Sequence, residues 1–261
     1  MARMDIGGIT LNVRQWGRGV PLLLVHGLGG CTELWCHQVR PFAERHHVVA
    51  LDVRGFGRSD KPADAAEYSI ARVVDDILGV LDALGLESAH FLGSSMGGFF
   101  GLAAALRAPQ RLRSLVLCHT GCRFGIPAEI VRARAAALEH QSMETYAALV
   151  VSQALAQPAD PFVAEWLAEI IAANDRRPYA RFLTEVLAGF DLSSRVAEIE
   201  LPALVLGGAR DRVIPVEFSH ELHGLLRASR LTVLADVGHI GYAEDPAAFN
   251  NAVLDFLAER S

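Results

Sequence analysis

Leu92-Gly93-Ser94-Ser95-Met96-Gly97-Gly98 decides how this 261-residue chain is read. His90, Phe91 and Leu92 close an apolar run of strand character, and Phe99, Phe100, Leu102, Ala103, Ala104 and Leu106 continue with helical spacing. Between them the chain turns at a serine flanked by glycines. In a strand-turn-helix so tight, a side chain at either flank collides with its neighbours, which is why Gly-x-Ser-x-Gly marks a nucleophile held at a turn. Ser95 is therefore the candidate nucleophile. The following helix aims its free N–H groups and positive dipole end at the place where an oxyanion would develop.

Upstream, Ile9–Trp16 and Val20–Val25 read as strands with Gly17-Arg18-Gly19 as a hairpin turn between them. The second ends at His26-Gly27-Leu28-Gly29-Gly30, where small residues let the backbone N–H groups approach a ligand closely. Val48–Leu51 is a short continuous apolar strand of the kind that parallel sheets bury. The loop Asp52 to Asp60 has Gly-x-Gly but no phosphate-loop Lys-Ser/Thr, and reads as structural, with Asp52 and Arg54 tying it down. Ser69 caps a helix over 70–84, whose apolar positions keep a 3.6 period.

Downstream, Leu112–Leu117 is another strand. From Thr120 to about Ile199 the strand-helix alternation stops, and four helical stretches follow, near 127–140, 143–156, 161–173 and 179–189. The chain thus divides into an α/β core, 1–119 and 200–261, and a helical lid, 120–199. Alternation resumes with strands at Ala203–Gly208 and Leu231–Leu234. Asp211 follows the first and His239 the second.

A serine hydroxyl needs a base within reach, and the base needs an acid to fix its tautomer. Parallel strands release their C-terminal ends along one edge, so Ser95, Asp211 and His239 are expected to converge there. Asp236 competes for the acid role but lies only three residues from His239. An apolar lid over that edge implies a small substrate with apolar surface. Phe124, Trp166 and Phe182 are expected to line its pocket, with His119, at a strand end, beside them.

With these pieces in place, the chain resembles the α/β-hydrolase family from end to end. The resemblance rests on His26-Gly27, on Asp52-x-Arg-Gly-x-Gly-x-Ser59, on Gly93-Ser-Ser-Met-Gly97, on Gly207-x3-Asp211 and on Gly238-His239 with Glu244-x-Pro246. It implies a mostly parallel sheet flanked by helices, with Ser95 as nucleophile, His239 as base and Asp211 as orienting acid. It also implies an oxyanion hole from the N–H groups of Leu28 and Met96, and a bracing role for His26. A serine, not an aspartate, at position 95 argues against halide displacement and epoxide opening. The segment from Gly93 to Leu117 is similar to 3-oxoadipate enol-lactonases and small carboxylesterases, which implies ester or lactone hydrolysis. Carbon–carbon hydrolysis of a ring-fission product or β-diketone is the alternative; relatives with that chemistry commonly carry Asn where Ser94 stands. A ligand receptor built on the same fold is a third reading.

Composition bounds the rest. The formal charge is −6 with both signs mixed along the chain, which offers no basic face for nucleic acid. No stretch approaches the ~20 apolar residues of a membrane span, and the N-terminus lacks a signal-peptide core, so a cytoplasmic protein is expected. Cys31, Cys36, Cys118 and Cys122 are expected to be free thiols, and Cys118-x3-Cys122 lacks the second ligand pair that a metal needs. Neither metal nor organic cofactor is called for. The expected partner is the small-molecule substrate; a homodimer is compatible with the sequence but not required by it.

Overall fold

The computed structural model describes residues 2–260. One eight-stranded sheet runs through it: β1 (Ala2–Ile6), β2 (Ile9–Trp16), β3 (Val20–Val25), β4 (His46–Leu51), β5 (Ala89–Ser94), β6 (Leu112–Cys118), β7 (Ala203–Gly208) and β8 (Ser229–Leu234). Their spatial order is β1-β2-β4-β3-β5-β6-β7-β8, with β1 and β2 antiparallel and the other six parallel. The helices are α1 (Cys36–Ala43), α2 (Ile70–Ala83), α3 (Met96–Arg107), α4 (Ala128–Ala137), α5 (Met143–Ala154), α6 (Pro161–Ala172), α7 (Arg176–Arg181), α8 (Val216–Leu225), α9 (Gly241–Glu244) and α10 (Pro246–Ala258). This is the α/β-hydrolase fold. Leu22 to Val25 and all of β5 are buried, so both faces of the central sheet are covered, as an apolar parallel strand requires. Among the described residues, no helix is long and apolar enough to cross a membrane.

The expected hairpin between β2 and β3 does not form. β2 pairs with β4, from Val13 opposite Leu51 to Trp16 opposite Val48, and β3 lies on the far side of β4. The doubly buried β3 needs a neighbour on each edge, whereas β2 still carries polar Gln15 and belongs nearer the rim. Gly17 and Gly19 instead let the connection pass close to the start of β4. At Gly19, φ is +116°, and a Cβ would stand 2.7 Å from the Arg45 carbonyl oxygen. The hairpin that exists joins β1 to β2 through Gly7 and Gly8, both at positive φ.

Register fixes the functional edge. Val25 pairs with Gly93, Ser94 with Cys118, Cys118 with Leu206, and Gly208 with Leu234. The loops after β3, β5, β6, β7 and β8 therefore leave the sheet side by side, where open α/β sheets place their ligands.

Between β6 and β7 the chain departs into α4, α5, α6 and α7, and the last of these runs on as a π-helical turn, Phe182–Leu187. The two chain segments of this neck are laced together: Phe124 N–H donates to Phe190 O at 3.0 Å, and Leu192 N–H to Cys122 O at 2.8 Å. Phe182 seats the insertion on the body. Its ring centroid lies 4.8 Å from that of Phe56, 5.4 Å from Tyr68 and 6.4 Å from Phe100, and its side chain is fully buried. Burying one such ring contributes about 2–3 kcal/mol.

Candidate active site

The turn after β5 is as cramped as its sequence implies. Ser95 has φ +54°, a left-handed conformation that side chains rarely adopt and that persists only where the surroundings impose it. Here they do. Ser95 N–H donates to Cys118 O at 2.8 Å, and Ser95 O accepts from Gly98 N at 2.8 Å and from the Thr120 hydroxyl at 2.9 Å. A Cβ on Gly97 would collide with the Val25 carbonyl, and one on Gly93 with the Gly97 carbonyl. The two glycines are demanded by backbone meeting backbone, which no side-chain adjustment relieves. Met96 begins α3, so its N–H belongs to the unsatisfied first turn.

On the loop after β8, His239 Nδ1 lies 2.8 Å from Asp211 Oδ2, so that nitrogen carries the proton and donates it. The other oxygen of Asp211 accepts from Val213 N at 2.8 Å and Ile214 N at 2.9 Å, which stops the carboxylate from rotating. Burial pushes this carboxyl up, but the facing His239 and His119 more than offset that and hold it well below the usual carboxylate range. Asp211 therefore stays ionised. Asp236, the competing acid, is exposed and pairs with Arg210 at 2.5 Å.

The His239 loop is itself clamped. Glu244 accepts from Gly238 N at 3.0 Å, Ile240 N at 3.1 Å and Ala156 N at 2.7 Å, while His239 N donates to Ala154 O at 2.6 Å. Ala154 and Ala156 belong to the insertion, so one carboxylate fastens loop and insertion together. The sequence showed Glu244 as part of a motif; its bond to Ala156 appears only once the insertion has docked.

On the β3 side, His26 Nδ1 donates to Gly27 O at 2.7 Å, and its Nε2 accepts from Val53 N at 2.9 Å. This braces the turn that carries Leu28. Asp52 accepts from Thr32 N at 2.6 Å, Asn12 Nδ2 at 2.8 Å and Arg58 N at 2.9 Å, while Arg54 binds Asp76 through two 2.7 Å contacts. Both are tying residues.

Ser95, Met96, Leu28 and His239 open onto one cavity of about 140 Å³ beneath the insertion. Its walls are mainly apolar, and Phe124 is among them. Trp166, Phe182 and His119, expected there from sequence, are not. α6 presents Leu167 and Ile171 to the cavity, so Trp166, one residue earlier, turns with Ile170 toward a separate polar recess beside Arg14 and Thr32. Tyr179, Leu183 and Leu187, spaced four apart, line the cavity, so Phe182 faces the body. His119 lies behind the His239–Asp211 pair, fully buried, with its Nδ1 3.6 Å from Asp211 Oδ2. Phe99, Tyr146, Tyr179 and Tyr242 supply further aromatic walls.

His119, Asp211 and His239 offer ligand atoms within 4.8 Å of one another. Two ligands of a tetrahedral ion with ~2.0–2.1 Å bonds stand roughly 3.4 Å apart. The 2.8 Å between His239 and Asp211 is a hydrogen bond's distance, so this pair is not spaced as ligands to such an ion.

Residues 20–246 match the model of the alpha/beta hydrolase fold family. The chain is 34% identical over 263 residues to a 2-hydroxymuconate semialdehyde hydrolase of a Pseudomonas species, covering 97% of this chain and 92% of that one. It is 31% identical over 265 residues to a protein of Azorhizobium caulinodans named as a carbamate hydrolase, RutD, covering 97% of each. Among solved structures, the enol-lactonase from Burkholderia xenovorans is similar with a TM-score of 0.92 at 29% identity, over 98% of this chain and 100% of that one.

Proposed function

Because the chain belongs to the alpha/beta hydrolase fold family and is a hydrolase, we propose that it cleaves a carboxylic ester or lactone through an acyl-enzyme on Ser95. The observation that carries this reading is the shared cavity: a serine forced into positive φ at a helix N-terminus opens onto the same space as a histidine whose Nδ1 is committed to a buried carboxylate. That commitment leaves Nε2 as the basic nitrogen. In the proposed reaction His239 takes the Ser95 proton through Nε2 as Oγ attacks the carbonyl, and Asp211 stabilises the imidazolium. The N–H groups of Leu28 and Met96 receive the oxyanion, a contribution worth about 3 kcal/mol per donor in enzymes of this kind. His239 then returns the proton to the leaving alkoxide; a water, deprotonated in turn by His239, attacks the acyl carbonyl, and His239 gives that proton to Ser95 Oγ as the acid leaves. The substrate is a small molecule with apolar surface, matched to the walls of the cavity.

Carbon–carbon hydrolysis is the second reading, favoured by the likeness to the semialdehyde hydrolase. Ser94, where relatives of that activity commonly carry Asn, weighs against it. The test is hydrolysis of p-nitrophenyl esters of increasing acyl length, a lactone series and a vinylogous diketone, by wild type and Ser95→Ala in parallel. Ester or lactone turnover that vanishes in the variant supports the proposal. Turnover of the diketone alone would replace it with the second reading, and stoichiometric binding without turnover with a receptor.

A further inference from the structure

His119 is placed at evident cost. It takes φ +50° at the end of β6, a conformation that strains a residue with a Cβ, and its N–H is fixed to Leu206 O at 2.7 Å. Its side chain is completely buried, and neither ring nitrogen has a hydrogen-bond partner. An unpaired buried polar group costs about 1–3 kcal/mol. The ring fits only because residue 241 is glycine: a Cβ there would stand 2.7 Å from His119 Nε2. The polar atom facing it is Asp211 Oδ2, 3.6 Å from Nδ1 and the same oxygen that receives His239 Nδ1–H. The two imidazole rings stand 5.8 Å apart at 64°, on either side of one carboxylate oxygen. The neighbouring residue, Thr120, holds the Ser95 carbonyl, so positions 119 and 120 reach the acid and the nucleophile together.

We propose that His119 is a positioning residue for the hydrolysis: its Nδ1–H donates to Oδ2 of Asp211, closing the 3.6 Å gap by a small ring movement, and steadies the carboxylate that orients His239. This rests on Ser95, His239 and Asp211 acting as proposed above. Two donors on one oxygen, with Val213 and Ile214 N–H on the other, leave Asp211 no freedom to swing away when His239 becomes charged. The second donor also draws charge from the carboxylate, which moderates its hold on the imidazolium. A packing role alone would require only the ring's shape.

The experiment is the pH dependence of kcat and kcat/KM on the best p-nitrophenyl ester for wild type, His119→Phe and His119→Asn. Phenylalanine keeps the ring and removes the donor. Asparagine tolerates positive φ and carries an N–H near the place of Nδ1. Loss of the donor should lower kcat about tenfold with KM little changed, and move the acid limb of the profile upward by roughly half a pH unit. Asparagine should restore most of both. If His119→Phe does not fold, His119→Gly, which suits the backbone, is read by the same criteria, with added imidazole as the rescuing donor. A folded donor-less variant with wild-type kcat and an unmoved acid limb overturns the proposal, as does equal impairment in the donor-less variant and His119→Asn with no movement of the limb. Ser95→Ala separates the two levels: if it retains turnover, the reaction itself was misassigned.

Discussion

Asn174, just beyond α6, donates its Nδ2–H to the carbonyl of Gly29 at 2.7 Å, so the insertion grips the loop that carries Leu28. The same amide group reaches Ile170 O at 2.9 Å and Ile171 O at 3.0 Å, closing the end of its own helix. Tyr179 packs on Gly29 as well; a Cβ on that glycine would meet the ring at 2.6 Å. The insertion is therefore part of what shapes the proposed oxyanion site as well as its roof.

Asn174→Ala should lower kcat about tenfold, because a displaced N–H donor forfeits part of the oxyanion stabilisation, with a stability loss of only about 1 kcal/mol. Ester kinetics and urea midpoints on the same preparation check this. A fall in KM-controlled binding with kcat intact would assign the contact to substrate entry.

Glu244→Gln should loosen the His239 loop and the insertion together. A carboxylate accepts from Gly238, Ile240 and Ala156, whereas an amide has one acceptor oxygen and turns its NH2 toward a backbone N–H. The expected cost is about 2 kcal/mol, with faster limited proteolysis between α5 and α6 and a lower kcat.

Leu183 and Trp166 should separate in a chain-length profile. Leu183 lines the cavity and Trp166 does not, so Leu183→Phe should cut kcat/KM for the longest accepted acyl chain about tenfold, while Trp166→Ala leaves the length preference where it was. Movement of the preference by the tryptophan variant would contradict the assignment of its face.

Acid should destabilise the sheet through His90. Burial, reinforced by His46, Arg113 and Arg260, lowers this imidazole to about 4, and its Nδ1 bonds Ser114 at 2.7 Å. The unfolded chain takes up the proton near pH ~6.5 while the folded chain refuses it until about 4. Stability is thus complete above ~6.5 and is lost as pH falls toward 4, by about 3 kcal/mol in all. Denaturant midpoints at pH 7 and 4.5 should converge more closely in His90→Gln than in wild type.

The sequence was most legible where backbone sterics or a period leaves one solution. Gly93 and Gly97 are demanded by carbonyls that a Cβ would strike, so Ser95 could be located without coordinates. Ser69 caps α2 with its hydroxyl accepting from Arg72 N, as the pattern implied. The strand ends carrying Asp211 and His239 followed from apolar runs and the geometry of parallel sheets, and the structure joins the two side chains at 2.8 Å. Less legible was anything set by which surface meets which. The β2–β3 hairpin looked natural along the chain, but burying β3 on both faces put β4 between them.

The insertion shows the division most clearly. Its four helices could be read from periodicity and breakers, because those act within a few residues. Whether Phe182 or Leu183, Trp166 or Leu167 faced the cavity could not, since each adjacent pair is equally apolar and about 100° of helix rotation separates its members. Docking chose: Phe182 packs among Phe56, Tyr68 and Phe100, while Leu183 and Leu187 line the cavity. His119 was visible as a strand-end histidine, yet its place behind Asp211 depended on β6 lying beside β7 and on Gly241 leaving room. The sequence by itself determined the family of fold and named Ser95, Asp211 and His239, the three residues that the proposed mechanism uses. The tertiary structure alone decided the pocket's walls and its supports, because those come from long-range packing between surfaces that no local pattern encodes.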